Sequence, residues 1–218
     1  MMRSPAPQPS YRLIPSRFPP VGLFDTVATA ADLEQVMDLA GWTNDRLVKE
    51  RVTRLPQAEW VFGRPNASIV MAAFLHAAPS GGRFNGPELG AWYASAAVPT
   101  AIAEVGHHLR REALARGLEG TTRIFRAYAA RLDGSYVDIR GSEAALHAPD
   151  DYAPGQAYGE KVRTDGEDGL VYDSVRHRGG INACAYRPSK VLDVVQADHF
   201  EIAVTVADRR IEATRLSS

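Results

Sequence analysis

An arginine, a tyrosine and a glutamate lie close together in one stretch of this chain. Gly81-Gly82-Arg83-Phe84-Asn85 is followed by Trp92-Tyr93 and then by Thr100-Ala101-Ile102-Ala103-Glu104. A guanidinium grips phosphate or carboxylate with forked hydrogen bonds. An aromatic ring stacks on a flat heterocycle, and a carboxylate held on a helix steadies a developing cation. Together these capacities suit the cleavage of a dinucleotide at a ribosyl bond. Each also has a plain structural alternative. An arginine after Gly-Gly can cap carbonyls, Tyr93 can be a core or cross-strand aromatic, and Glu104 can pair with His107 or His108 across a helical turn.

Other arrangements are weaker. Adjacent His107 and His108 point about 100° apart on a helix, so they do not share a metal ion as an i, i+4 pair does. His177 lies near Asp173 and Ser174, but the Gly-x-Ser-x-Gly elbow of a hydrolytic triad is missing. No Gly-x-Gly-x-x-Gly opens a strand–helix unit, which removes the usual dinucleotide fold.

The elements that must position these residues follow from periodicity and punctuation. Pro99 sits in the first turn of a helix running to about Arg116, with Gly117 past its end. Ala101, Val105 and Leu109 share one face of it, and Glu104 and His108 lie beside that stripe. Tyr11–Ile14 and Leu89–Ser95 read as strands, and Ser68–Ala77 reads as a helix capped by Asn66. Thr122–Leu132 and Tyr136–Ile139 read as a hairpin turning at Asp133-Gly134. A loop or short-helix region to about Glu167 comes next. Gly169–Val175, Ile181–Arg187, Phe200–Val206 and Arg210–Leu216 read as strands. Upstream, Thr29 and Asp32 have capping-box spacing before Leu33, Val36, Met37 and Ala40, with a stop at Gly41. A second short helix is expected from Asn44 to Val52. Residues 28–66 thus form a helical elaboration, residues 1–10 a flexible leader, and 11–218 a single α+β domain with mixed and antiparallel strands and flanking helices.

Charge is nearly balanced, 25 basic against 26 acidic residues in 218. No global field therefore draws nucleic acid, and direct nucleic-acid binding is not expected. Cys184 is the only cysteine, so an internal disulfide and a cysteine zinc site are excluded. No apolar run reaches the ~20 residues of a membrane span, and the expected location is cytoplasmic.

The chain resembles the RES domain family. The resemblance rests on Gly82–Asn85, Ala91-Trp92-Tyr93, Thr100–Val105 and Gly169–Arg176, with Tyr11-Arg12-Leu13 as an opening, over roughly residues 11–190. Phe84 stands where Trp is common, and the 28–66 segment is longer than in minimal members. The resemblance implies an ADP-ribosyltransferase-like fold and a toxin that consumes NAD+ by hydrolysis or phosphorolysis, or that ADP-ribosylates a protein. NAD+ is then the substrate, inorganic phosphate a co-substrate in phosphorolysis, and no further cofactor or metal is implied. The implied partner is an Xre-type antitoxin, in a homodimer or a larger hetero-oligomer. By the family's motif, Arg83 and Glu104 are the catalytic pair, Tyr93 stacks on nicotinamide, and Ser174 donates to its amide or to a ribose. Arg12 is a second candidate for the phosphates. A catalytically idle partner-binding module is the reading from another class.

Overall fold

In the computed structural model, residues 2–17, 22, 24–33 and 53–217 are described. Their nine strands form one sheet in the order β1-β5-β6-β7-β3-β2-β4-β8-β9. These are β1 (Arg3–Ser4), β2 (Ser10–Pro15), β3 (Trp92–Ser95), β4 (Gly120–Leu132), β5 (Tyr136–Asp138), β6 (Gly169–Asp173), β7 (Ile181–Ala185), β8 (Val191–Thr205) and β9 (Ile211–Leu216). All neighbours run antiparallel except β5 and β6. The helices α1 (Ala67–Leu75), α2 (Val98–Ala115) and α3 (Ala153–Thr164) flank the sheet, so the fold is the expected mixture of strands and flanking helices.

Side-chain alternation along the strands assigns the two faces. Trp92, Ala94, Val171, Ala183 and Ala185 enter the core that includes Met71 and Phe74 of α1. Tyr93, Leu170, Tyr172 and Cys184 enter the opposite core with Val162 of α3. Leu13, Phe125, Phe200 and Ile202 pack with Ala101 and Leu109 of α2. Both faces of the central strands are covered, which is why Ile181–Tyr186 is almost continuously apolar.

Several sequence expectations change. Asn66 is not a side-chain cap: it is left-handed at φ 62°, and its amide donates to the Val194 carbonyl at 2.8 Å. Asp25 serves the start of α1 instead, accepting from the Asn66 and Ser68 N–H groups at 2.9 and 2.8 Å. The Thr122–Ile139 hairpin does not form. Both edges of β4 are occupied, by β2 and β8, so the chain turns at Gly134 and β5 pairs with β1 and β6. Strand β3 begins at Trp92 and not at Leu89, because the Leu89 and Gly90 carbonyls accept from the Arg163 guanidinium at 3.2 and 2.8 Å.

The region before Glu167, read as loop or short helix, contains the twelve-residue helix α3. Within the expected leader, Arg3 and Ser4 pair with Val137 and Tyr136. At the expected Thr29 helix start, the Asp32 N–H donates to Thr29 Oγ1 at 3.1 Å and residues 30–33 are helical. The remainder of that helix and the Asn44–Val52 helix lie outside the described residues.

Candidate active site

The cleft is a consequence of the sheet's own pairing. Strands β2 and β3 meet at a single pair, Tyr11 opposite Ser95, and then diverge. At the divergence the Arg12 side chain enters, and its Nη1 donates to the Tyr93 carbonyl at 3.1 Å. The floor is one transverse row in register across four strands, Tyr11–Ser95–Asn182–Tyr172. Helix α2 forms one wall with Ala101, Glu104, Val105, His108 and Arg111, and the Ser80–Arg83 loop with Tyr152 forms the other. The enclosed volume is about 630 Å³, within the range of small-molecule sites.

Arg83 is buried, at 8% exposure. Its Nη1 donates to the Ala148 carbonyl at 2.6 Å, and its guanidinium lies 4.6 Å from the centre of the Tyr152 ring. The loop that carries it is closed by Gly82 N–H on the Asn85 carbonyl at 2.9 Å. Tyr93 locks that loop: its hydroxyl donates to Asn85 Oδ1 at 2.7 Å and accepts from the Phe84 N–H at 2.8 Å. A β-carbon at Gly82 would collide with that hydroxyl and with Asn85, so glycine is required there. Burial drives the Tyr93 phenol well above its ordinary range, so it stays protonated as a donor.

Glu104 sits on α2 facing the cleft. Its Oε1 accepts twice, from Ser174 Oγ and from Asn182 Nδ2, each at 2.7 Å. Among the described residues no donor reaches Oε2. Ser174 itself lies behind Glu104 rather than on the cleft wall. Its oxygen accepts from the N–H groups of Arg176 and His177 at 3.2 and 3.0 Å, so its single hydrogen is committed to the carboxylate. This placement differs from a Ser174 that donates to a ligand. The His177 ring turns away to Thr100 Oγ1, 2.8 Å from its Nδ1, and takes no part in a Ser174 triad.

The electrostatics favour an anion. Among the described residues neither Arg12 nor Arg83 has a carboxylate within ion-pair distance. The Arg12 guanidinium lies over Trp92 at 5.0 Å, and burial pulls its pKa down to about 10. Glu112, the other carboxylate on the cleft, is already held by Arg123 at 2.8 and 3.0 Å. Two desolvated cations without counter-ions thus line one cavity with a single uncommitted carboxylate oxygen.

Arg12, Arg83, Tyr93 and Glu104 share this cavity, with Ser174 one hydrogen bond behind it. Sequence reasoning missed Tyr152, Tyr172, Ser95 and Asn182. Asn182 carried a usable signal, as the one strongly polar side chain inside the apolar run Ile181–Tyr186. Tyr152 carried none, because its place depends on where α3 begins, and the sequence left that region open between loop and short helix.

A family model described as RES domain matches residues 51–205, leaving the Tyr11-Arg12-Leu13 opening outside the match. No curated protein matches the chain. Among solved structures it is similar to a chain in "Crystal structure of the M.tuberculosis MbcT-MbcA toxin-antitoxin complex". Identity is 16%, the alignment covers 89% of this chain and 86% of that one, and the TM-score is 0.46.

Proposed function

The chain belongs to the RES domain family, and from that premise we propose that it is a toxin that cleaves NAD+ at the nicotinamide–ribose bond and is neutralised by an antitoxin. The observation that carries the chemistry is the asymmetric carboxylate of Glu104, one oxygen saturated by the protein and the other in a cleft with two guanidinium groups that have no carboxylate partner among the described residues.

The diphosphate of NAD+ is matched by Arg83 and Arg12, whose forks can donate to phosphate oxygens without first breaking an ion pair with a described carboxylate. Tyr93, Tyr152 and Tyr172 supply aromatic surface for the nicotinamide. Glu104 Oε2 takes a ribose hydroxyl. When the bond between ribose C1′ and the pyridinium nitrogen breaks, its electron pair neutralises the departing nicotinamide. Positive charge then spreads over C1′ and the ring oxygen, as in other glycosyl transfers. Glu104 offsets that charge through the hydroxyl it holds. The acceptor oxygen, from water or inorganic phosphate, bonds to C1′ and gives its proton to solvent.

The test is direct. Purified protein is incubated with NAD+, with and without inorganic phosphate, and free nicotinamide is measured. Release without any acceptor protein supports the proposal, and dependence on phosphate identifies phosphorolysis. Turnover only after cell extract is added, with label on one band, replaces it with protein ADP-ribosylation. No nicotinamide under any condition overturns it. Co-expression with an Xre-type neighbour gene should relieve growth arrest if the partner is an antitoxin.

A further inference from the structure

We propose that Asn182, set in turn by Ser95, is a positioning residue that divides the Glu104 carboxylate into a held oxygen and a working oxygen. The idea rests on the NAD+ reading for its catalytic consequence, but its geometry stands apart from it. Asn182 and Ser95 are paired across β7 and β3 and are 2% and 4% exposed. Asn182 Nδ2 donates to Glu104 Oε1 at 2.7 Å, and Ser95 Oγ donates to Asn182 Oδ1 at 2.7 Å.

The direction of this chain follows from donor and acceptor capacity. A carboxylate only accepts, so the amide must turn its nitrogen to Glu104. Its oxygen then faces Ser95, whose hydroxyl must donate. Without that hydroxyl the amide oxygen loses its donor and the amide is oriented by Glu104 alone, since a flipped amide would aim oxygen at oxygen. Ser174 makes the second contact to Oε1 under equal constraint, since two backbone N–H groups occupy its acceptor sites. Both fixed donors converge on one oxygen, which leaves the other pointing at the ligand. Glu104 is felt by His108, on the next turn of α2, and by Tyr172 of β6; Arg83 bears on both of these groups, Arg111 and Arg176 on His108, and Tyr152 on Tyr172, while Arg12 lines the same pocket.

The experiment compares steady-state nicotinamide release by Asn182→Ala, Asn182→Asp, Ser95→Ala and Ser95→Thr. One hydrogen bond to a charged group is at stake, so Asn182→Ala should lower kcat roughly 10- to 100-fold with KM changed little. Ser95→Ala should lose less, and Ser95→Thr should recover most of that loss. Asn182→Asp places two carboxyl groups together, which share a proton. The acid limb of its pH–rate profile should therefore move to higher pH, a change that mere loosening of the fold would not produce.

A second readout needs no turnover. In protein labelled with ¹⁵N-asparagine, the Asn182 side-chain amide signals, identified by their loss in Asn182→Ala, should shift in Glu104→Gln. They should also exchange faster in Ser95→Ala. Unmoved signals, or Asn182→Asp with wild-type kcat and pH profile, would overturn the proposal. A wild-type protein that releases no nicotinamide while the amide signals respond as stated would sink the NAD+ reading and leave the positioning intact.

Discussion

Replacing Glu104 by glutamine is the sharpest test of the site, because the structure says which half of the side chain each effect belongs to. The glutamine carbonyl can take the place of Oε1 and keep both donors, Ser174 Oγ and Asn182 Nδ2. Its amino group then occupies the Oε2 position. Two charge-assisted hydrogen bonds become neutral ones, a loss of about 1 kcal/mol each. For a chain of this size that corresponds to a fall in Tm of roughly 4–8 °C. Catalysis should suffer far more. Loss of one preorganised charge at the reacting centre lowers kcat by about 10²–10³, or roughly 2.7–4 kcal/mol. KM should stay within a few-fold, since the phosphates are assigned to Arg83 and Arg12. Glu104→Ala makes the contrast: it leaves two buried donors unpaired, each costing about 1–3 kcal/mol, so its Tm should fall below that of the glutamine variant. Nicotinamide release and thermal melts of both proteins decide the matter. A glutamine variant with wild-type kcat, or two variants with the same Tm, would show that Glu104 neither works nor is held as described.

Arg12→Met should raise the Kd for NAD+ by about tenfold or more in calorimetry, as a charge-assisted contact is lost. Its Tm should hold or rise, because a desolvated cation without a carboxylate partner is removed. Gly159→Ala should disturb the site from behind, since a β-carbon there would strike the Phe84 carbonyl and the Tyr186 hydroxyl. Overpacking of that kind costs about 1–3 kcal/mol, and displacement of the adjacent Arg83 should raise KM. His107 is buried, and burial, reinforced by Arg176, pulls its pKa down to about 3. The unfolded chain binds that proton near pH 6.5 and the folded one does not. Stability from this group is therefore complete above about pH 6.5 and is lost progressively as pH falls towards 3. His107→Leu should flatten the decline of Tm across that window.

The parts of the fold that sequence made legible were those with local causes. Pro99 and Gly117 bracket α2 within a residue or two, and the apolar strands β6 and β7 stand where their runs predicted. The failures have long-range causes. Helix α3 was left open between loop and short helix, and Gly155 and Gly159 weaken a helix there on propensity. In the structure these two glycines let α3 lie against the backbone of the Arg83–Phe84 segment, where any side chain would collide. The Asp133-Gly134 turn was read properly as a turn and wrongly as a hairpin. Nothing in the turn reveals that β2 and β8 have already taken both edges of β4.

At the site the same division separates residue position from residue role. Arg12 and Glu104 reach one cavity from segments far apart in the chain, and it was their place in the family's motif order, more than chemical type, that nominated them. What Ser174 does could not be inferred from its type, because a hydroxyl has one hydrogen and the partner that claims it is decided by the fold. Here two backbone N–H groups occupy its oxygen, and the hydrogen goes to Glu104. Tyr93 is constrained likewise: its hydroxyl is spent on Asn85 and Phe84, so only its ring face is left for a ligand. Ser174 and Asn182 therefore act through Glu104, the group that the proposed function sets against the ribose. Substitutions at Ser174 or Asn182 should be felt mainly in kcat, and substitutions at Arg83 or Arg12 mainly in KM.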